Sequence, residues 1–522
     1  MDRTAMWVLL FLVLAGQTLG QKGHRTQCTK RHVKKTQTPD EGSQPLFLSQ
    51  YIGSKRLAEG IRKSKVELLS ETGGPLTAYS GYITIQKNHF SNLFFLLIEA
   101  QNQPETAPLV LWLQGGPGTS SLFGQFLENG PVGINRDGEL FKREHTLQKE
   151  CNVLYLDQPV GAGYSFTKSE AGYSRSLKDI TKDLRQFLKA FLKLFPKYNE
   201  RELYIAGESY GVRPAIALAH DLHKRSTKTS DPEESTKGSR DLNMNLRGVV
   251  CGVGLYSPLL DQVDITKYFY HMGLLDHNSY NYVTKVINDA AQLINSDIPT
   301  LRLVALKKLV DLLPVLEMFT GISYDGNILQ ANEPHEQKQF KAKALTEKFK
   351  RGFHVGLNAT FSVSPVRAHL AEDFFFDIST MLIELLNSDY KFLVYVGQLD
   401  RTFAPASTER IFKNLKWKHI DAFRTALRSF WHLDDEDEGS SFAGYMWDIY
   451  NLKYVLMTGV GHYPGFDRPQ AFYQLMRKFI FGKEFSTKQP FAELLTPAEN
   501  GASAEGGRPA DPTDVDNVPR EL

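Results

Sequence analysis

The sequence predicts an α/β protein: a mixed, mostly parallel central sheet with helices on both faces and an inserted helical cap. Three observations carry this. Short apolar runs recur through the chain, several of them continuously apolar, as strands covered on both faces must be. Amphipathic helical patterns alternate with those runs. Between residues 266 and 376 the strand signals fade into helix-like stretches such as 301–316, and afterwards the alternation resumes.

The strand candidates are 93–99, 109–113, 152–156, 203–206, 246–253, 392–396 and 454–457. Residues 176–195 carry Ile180, Leu184, Phe187, Leu188, Phe191 and Leu192 at helical spacing and stop at Pro196, which predicts an amphipathic helix between two strands. The folded part therefore divides into a first core segment, 44–265, a cap, 266–376, and a second core segment, 377–485. A polar tract at 224–241 has no apolar anchor and is expected to be an exposed loop.

Both ends read differently. Residues 1–20 form a secretory signal pattern, with Arg3, an apolar run from Trp7 to Ala15 and small residues near Gly20. The run is too short to cross a bilayer, and no other stretch is long and apolar enough, so no stable membrane insertion is expected. Residues 21–43 are polar and basic, and 486–522 end in a Pro, Gly and Ala mixture, so both are expected to be unstructured.

Lys and Arg total 61 against 59 acids, a net charge of +2, which leaves no bulk field for nucleic acid or an anionic membrane. Three cysteines, Cys28, Cys151 and Cys251, allow at most one bridge. Asn358-Ala359-Thr360 is a glycosylation acceptor, in keeping with an exported chain. No cofactor and no metal are called for.

The chemistry begins at Gly207-Glu208-Ser209-Tyr210-Gly211, between a strand pattern and a helix pattern starting near Arg213. Small neighbours let a serine sit on a sharp strand-to-helix turn with its hydroxyl exposed above the sheet, as in the α/β-hydrolase fold. Serine needs a base, and the base needs a carboxylate to orient it. That fold orders them serine, acid, histidine. Asp400 follows the strand 392–396 and His462 follows the strand 454–457, so both obey this order. Trp112-Leu113-Gln114-Gly115-Gly116-Pro117-Gly118 follows another strand, and its glycines let backbone N–H groups approach a reacting carbonyl. The Pro and the lack of a Gly-Lys-Ser/Thr ending argue against a phosphate loop.

Taken together, residues 112–121, Asp157-Gln158-Pro159-Val160-Gly161, residues 207–211, residues 397–400 and Gly461-His462 resemble the serine carboxypeptidases over most of the chain. The resemblance is strongest to the vitellogenic-like members, which similarly carry Gln at the position of Gln114. It implies Ser209 as nucleophile, His462 as general base and then acid, Asp400 as its orienting carboxylate, and the N–H groups of Gly116 and Tyr210 as oxyanion donors. It further implies that Trp112, Gln114, Gly115, Glu128 and Glu208 surround the terminal carboxylate of a peptide substrate. Two glutamates beside a third carboxylate cannot all be ionised, so binding of the peptide's C-terminus should favour acid. A lysosome-like or extracellular destination fits that chemistry.

The sequence departs from the family pattern at three places. Thr119 replaces a half-cystine, Gln114 is one methylene longer than the usual Asn, and Gly211-Val212-Arg213-Pro214 replaces A-G-K-Y-V-P, two residues shorter. The last is expected to alter the helical turn behind the nucleophile. An esterase or acyltransferase using the same triad, or a binding homologue without turnover, are the alternatives the residues leave open. Side-chain preference and oligomeric state have no short sequence signature.

Overall fold

Eleven strands pair into one sheet in the computed structural model, which describes residues 42–228, 242, 244–262, 265–294, 298–361, 364–434 and 442–488. In chain order the strands are β1 (Ala78–Gln86), β2 (Ser91–Ile98), β3 (Leu109–Leu113), β4 (Val132–Ile134), β5 (Leu140–Lys142), β6 (Asn152–Leu156) and β7 (Glu202–Glu208). They continue as β8 (Asn245–Gly252), β9 (Lys391–Gly397), β10 (Ser429–His432), β11 (Phe442–Ile449), β12 (Leu452–Met457) and β13 (Ser486–Lys488). The large sheet runs β1-β2-β6-β3-β7-β8-β9-β12-β11-β10-β13, and β4 and β5 form a separate pair. Strands β6, β3, β7, β8, β9 and β12 are mutually parallel, and antiparallel strands flank them.

Every residue of β2, β3 and β6 is buried, and the period-2 alternation of side chains explains why. Leu93, Phe95 and Leu97 join one core, whereas Phe94, Leu96 and Ile98 join the core on the opposite face. The helix Leu177–Leu194 covers the first face with Ile180, Leu184, Phe187, Leu188 and Phe191. Ser176 caps it by accepting from the Asp179 N–H, and the Asp179 carboxylate accepts the Ser176 hydroxyl in return. Full burial of each such Leu or Phe contributes roughly 1.5–3 kcal/mol, so this stripe, more than intrinsic propensity, fixes the helix.

Between β8 and β9 the described residues hold no strand. The helices there are Leu259–Gln262, Thr266–His271, His277–Ile294, Pro299–Thr320, His335–Ala344, Glu347–Gly352, Ser364–His369 and Ser379–Leu386, with a 3-10 turn at Asp373–Phe375. Phe269, Val283, Leu312, Leu316 and Ile328 form a smaller core that closes on Leu399 and Ala404 of the sheet domain. The cap is thereby packed against the loop that carries Asp400.

Several boundaries differ from the sequence reading. The flanking antiparallel strands β1, β11, β10 and β13, of which β1 and β13 are the edges, lack continuous apolar runs, because a strand outside the parallel centre needs only its backbone pairing and one covered face. Residues 486–488, expected in an unstructured tail, pair with β10 as β13. The helix Val212–Lys228 runs past residue 223 into the tract expected to be a loop, and an Asp221–Arg225 ion pair bridges the point of entry. Ser43, expected in the basic segment, accepts the Leu357 N–H. The signal 1–20, most of 21–43, residues 229–241 and the tail beyond 488 lie outside the described residues.

Cys151 and Cys251 are buried and unbridged, and burial raises both thiols well above their ordinary range. Cys28 lies outside the described residues. No described helix is long and apolar enough to cross a membrane. Asn358 is exposed in a turn, where a glycan has room.

Candidate active site

Ser209, the candidate nucleophile, stands on a strained turn. Strand β7 ends at Glu208, a single 3-10 turn spans Ser209–Gly211, and the helix Val212–Lys228 follows without a break. Ser209 adopts φ 58°, a left-handed conformation unfavourable for a serine and characteristic of residues pushed out of a sheet to react. The flanking glycines are sterically required. A Cβ on Gly207 would lie 2.3 Å from the Gly211 carbonyl oxygen, and one on Gly211 would lie 2.1 Å from that of Leu113. Pro214 falls in the first helical turn, where a missing N–H is tolerated. Strand, turn and helix are thus continuous across the Gly211–Pro214 departure.

Strands β9 and β12 are parallel neighbours, with Met457 opposite Gly397, so their C-terminal loops emerge side by side. These loops bring together His462 and Asp400. The His462 Nδ1 lies 2.9 Å from Asp400 Oδ2, and both residues are buried. The other Asp400 oxygen accepts the N–H groups of Thr402 at 2.7 Å and Phe403 at 3.0 Å. Burial pushes the His462 imidazole down, but the charge and hydrogen bond of Asp400 outweigh it, and the net shift is upward. The Ser209 hydroxyl makes no hydrogen bond to another described residue.

Leu113 pairs with Gly207, so the glycine-rich loop leaves the sheet beside the serine turn. A Cβ on Gly115 would sit 2.6 Å from the Ser209 Cβ and 2.8 Å from the Tyr210 nitrogen, which only glycine permits. Gly116 has φ 114°, and the Gly116–Pro117 bond is cis, as is Gln158–Pro159. The Thr119 N–H closes the loop on the Gly115 carbonyl at 3.0 Å. Asp157 anchors it from below, accepting the Ser120 hydroxyl at 2.6 Å and the N–H groups of Ser121 and Tyr164 at 2.8 Å.

Beside the serine lies a buried acidic box. Trp112 Nε1 donates to Gln114 Oε1 at 2.8 Å, which orients the amide so that Nε2 faces Glu208 Oε2 at 2.8 Å and Glu128 Oε1 at 3.5 Å. The longer Gln side chain still spans the box. Tyr395 donates to the other Glu208 oxygen at 3.1 Å. Burial raises both glutamates, and for Glu128 the charge of Glu208 adds to it. Both carboxyls are thus held above the usual carboxylate range, Glu128 the further of the two, and the pair titrates as a unit. Glu128 Oε2 is buried without a hydrogen-bond partner among the described residues. Glu128 comes from a π-helical turn, Gly124–Asn129, whose free carbonyls Arg143 caps at Gln125, Phe126 and Gly130.

The family model described as serine carboxypeptidase matches residues 70–482. The chain belongs to the serine carboxypeptidase family. A probable serine carboxypeptidase CPVL of Mus musculus is 35% identical over 91% of this chain and 96% of its own length. The venom serine carboxypeptidase of Apis mellifera is 31% identical over 84% and 92%, and the vitellogenic carboxypeptidase of Aedes aegypti 31% over 84% and 91%. A prohormone-processing carboxypeptidase from Saccharomyces cerevisiae shares the fold, with a TM-score of 0.66, 21% identity, and coverage of 81% of this chain and 96% of that one.

Several residues of this serine carboxypeptidase site escape the sequence motifs. Asn327, in the cap, donates to Asp467 Oδ2 at 3.0 Å, and the same oxygen accepts the Gly461 N–H at 2.7 Å. The His462 N–H donates to the Gly326 carbonyl at 2.6 Å, and Asn327 bridges Asp400 through the backbone. One cap loop therefore clamps both the acid and the base. Asp373 and Tyr395 likewise act at long range in sequence, and no local pattern marks them. Among the described residues no cluster of His, Cys, Asp and Glu could hold a metal ion.

Proposed function

We propose that this serine carboxypeptidase releases C-terminal residues from peptides through an acyl-enzyme formed on Ser209. The Ser209 oxygen attacks the scissile carbonyl while His462 Nε2 takes its proton, and Asp400 holds the imidazolium in place. The N–H groups of Gly116 and Tyr210 receive the developing oxyanion. His462 then delivers the proton to the departing amine, and water attacks the ester by the reverse sequence. The Ser209–His462 hydrogen bond, absent between the free residues, forms when substrate closes the site.

The observation that carries this reading is the box of Trp112, Gln114, Glu128 and Glu208 beside the serine turn. A proton held between two buried glutamates, with an amide N–H aimed at them, is suited to a substrate carboxylate and ill suited to an uncharged group. Gly115 contributes its narrow backbone to the same wall. Binding through a shared proton favours acid, and with the exposed Asn358 acceptor it supports work in a lysosome-like compartment or outside the cell.

The test compares a blocked dipeptide with its C-terminal amide and ester at acidic pH, beside Ser209→Ala. Preferred cleavage of the free acid, lost in Ser209→Ala, is the expected result. Equal turnover of all three substrates would identify a general esterase instead.

A further inference from the structure

The first turn of the helix behind Ser209 holds a buried ion pair. Arg213 is the second residue of the helix Val212–Lys228 and is fully buried. Its Nε lies 3.2 Å from Asp373 Oδ2, and its Nη2 donates to the backbone carbonyls of Asp373 at 2.8 Å and Phe376 at 2.7 Å. Asp373 opens the 3-10 turn Asp373–Phe375, which precedes the helix Ser379–Leu386 and strand β9, and it too is buried.

The same carboxylate reaches the reacting turn. Tyr210 donates its phenolic proton to Asp373 Oδ2 at 2.6 Å, and Phe374 packs on the Tyr210 ring at 5.5 Å. Asp373 Oδ1 accepts the N–H of Leu177, the first residue of the helix Leu177–Leu194. One aspartate thus joins the serine turn, the helix behind it and a second helix. Burial and the neighbouring Asp373 charge keep the Tyr210 phenol protonated, so it remains a donor.

Stability alone is a weak reason for this arrangement. The Arg213 Nη1 is buried without a partner, and a desolvated ion pair with an unmet donor contributes little net stability compared with an apolar filling. What the network does fix is the Tyr210 side chain. Its phenolic oxygen is tied to Asp373, and its backbone nitrogen lies one residue beyond Ser209, packed against Gly115.

We propose that Arg213 and Asp373 are positioning residues that aim the backbone N–H of Tyr210 at the oxyanion. The proposal rests on the carboxypeptidase reading for the role of that N–H. Arg213 reaches three oxygens through a rigid planar fork, a geometry that the flexible ammonium of a lysine does not fix.

Tyr210→Phe removes one oxygen and leaves the ion pair, so it separates aiming from folding. A misaimed donor predicts a fall in kcat of about 10-fold to 100-fold with KM within about twofold, because the loss is confined to the transition state. Labelling of Ser209 by a peptidyl phosphonate should slow by a similar factor. Arg213→Met should lose more than Arg213→Lys, and if Arg213→Met fails to fold, Tyr210→Phe decides. A lower Tm with unchanged kcat and unchanged labelling in Tyr210→Phe would overturn the proposal and leave a merely structural network. Wild-type protein that is labelled at Ser209 but releases no C-terminal residue would sink the carboxypeptidase reading alone, since the labelling rates would still test the aim. Protein neither active nor labelled would sink both.

Discussion

Gln114 and Glu208 meet at 2.8 Å, amide N–H to carboxylate, with Trp112 holding the amide from the other side. Under the proposed function, this contact orients the donor and acceptor for a substrate carboxylate. Replacing Glu208 with Gln keeps the size but removes the proton-sharing partner of Glu128. For peptides with a free C-terminus, KM should rise by about 10-fold to 100-fold, the worth of one charge-assisted hydrogen bond. For the matching C-terminal amides the change should be small. Steady-state kinetics on the two substrate series checks this, and an equal effect on both would remove the box from carboxylate recognition.

The pH dependence should split between binding and chemistry. Glu128 and Glu208 are raised by burial, so the shared proton is present in acid and lost as pH rises, and KM for free acids should climb toward neutrality. His462 is raised as well, and as a base it must be unprotonated, so kcat should fall as pH drops through its pKa. The two limbs give kcat/KM a bell shape. Amide and ester substrates should keep the kcat limb and lose the KM limb. Profiles from pH 4 to 8 on both substrate types would expose a single shared limb, which would contradict this assignment.

The cap loop predicts a catalytic effect from residues that touch no substrate. Asp467 accepts from both Gly461 and Asn327, so Asp467→Ala would leave two buried donors unmet, costing about 1–3 kcal/mol each. Asn327→Ala removes two bonds, its donation to Asp467 and its acceptance of the Leu329 N–H, but leaves the Gly461 contact, so it should cost about 1–3 kcal/mol in all. Both variants loosen the loop that also holds His462 through Gly326, and kcat should fall further in Asp467→Ala. Urea unfolding and kcat measured together decide it. A stability loss in Asp467→Ala with unchanged kcat would show that the clamp does not reach the imidazole.

The parts of the site that were legible in the sequence are those carried by contiguous backbone. Ser209 between Gly207 and Gly211, and the Gly115–Gly116 loop, are read directly because a steric need for glycine leaves a local trace. Asp400 and His462 were legible as strand-end residues in a fixed order, since parallel strands place successive loops side by side. Asp373, Tyr395, Asn327 and Asp467 were not. Each acts through a contact between segments remote in sequence, and a lone Asp or Asn in a polar stretch has no signature that separates it from a turn residue. The antiparallel edge strands were missed for a related reason: β13, Ser-Thr-Lys, forms through backbone pairing with β10 and is exposed throughout.

Asp157 sets a further limit, on stability. Its carboxyl anchors the glycine-rich loop through Ser120, Ser121 and Tyr164, yet burial outweighs those donors and pushes its pKa up to about 7. An acid whose folded pKa lies above its unfolded value binds more protons when native, so its contribution is present in acid and declines as pH rises through that interval. The window is from about 4, the unfolded aspartate value, to about 7. Glu128 and Glu208 act with the same sign. The protein should therefore unfold at a lower temperature at pH 8 than at pH 5, opposite to a fold held by salt-bridged carboxylates. Asp157→Asn should flatten the slope while lowering stability at every pH, because its amide N–H groups must face the Ser121 or Tyr164 donor. Thermal scans of wild type and Asp157→Asn across pH 4 to 8 measure both, and a wild-type midpoint that rises from pH 5 to 8 would show that other groups outweigh these three.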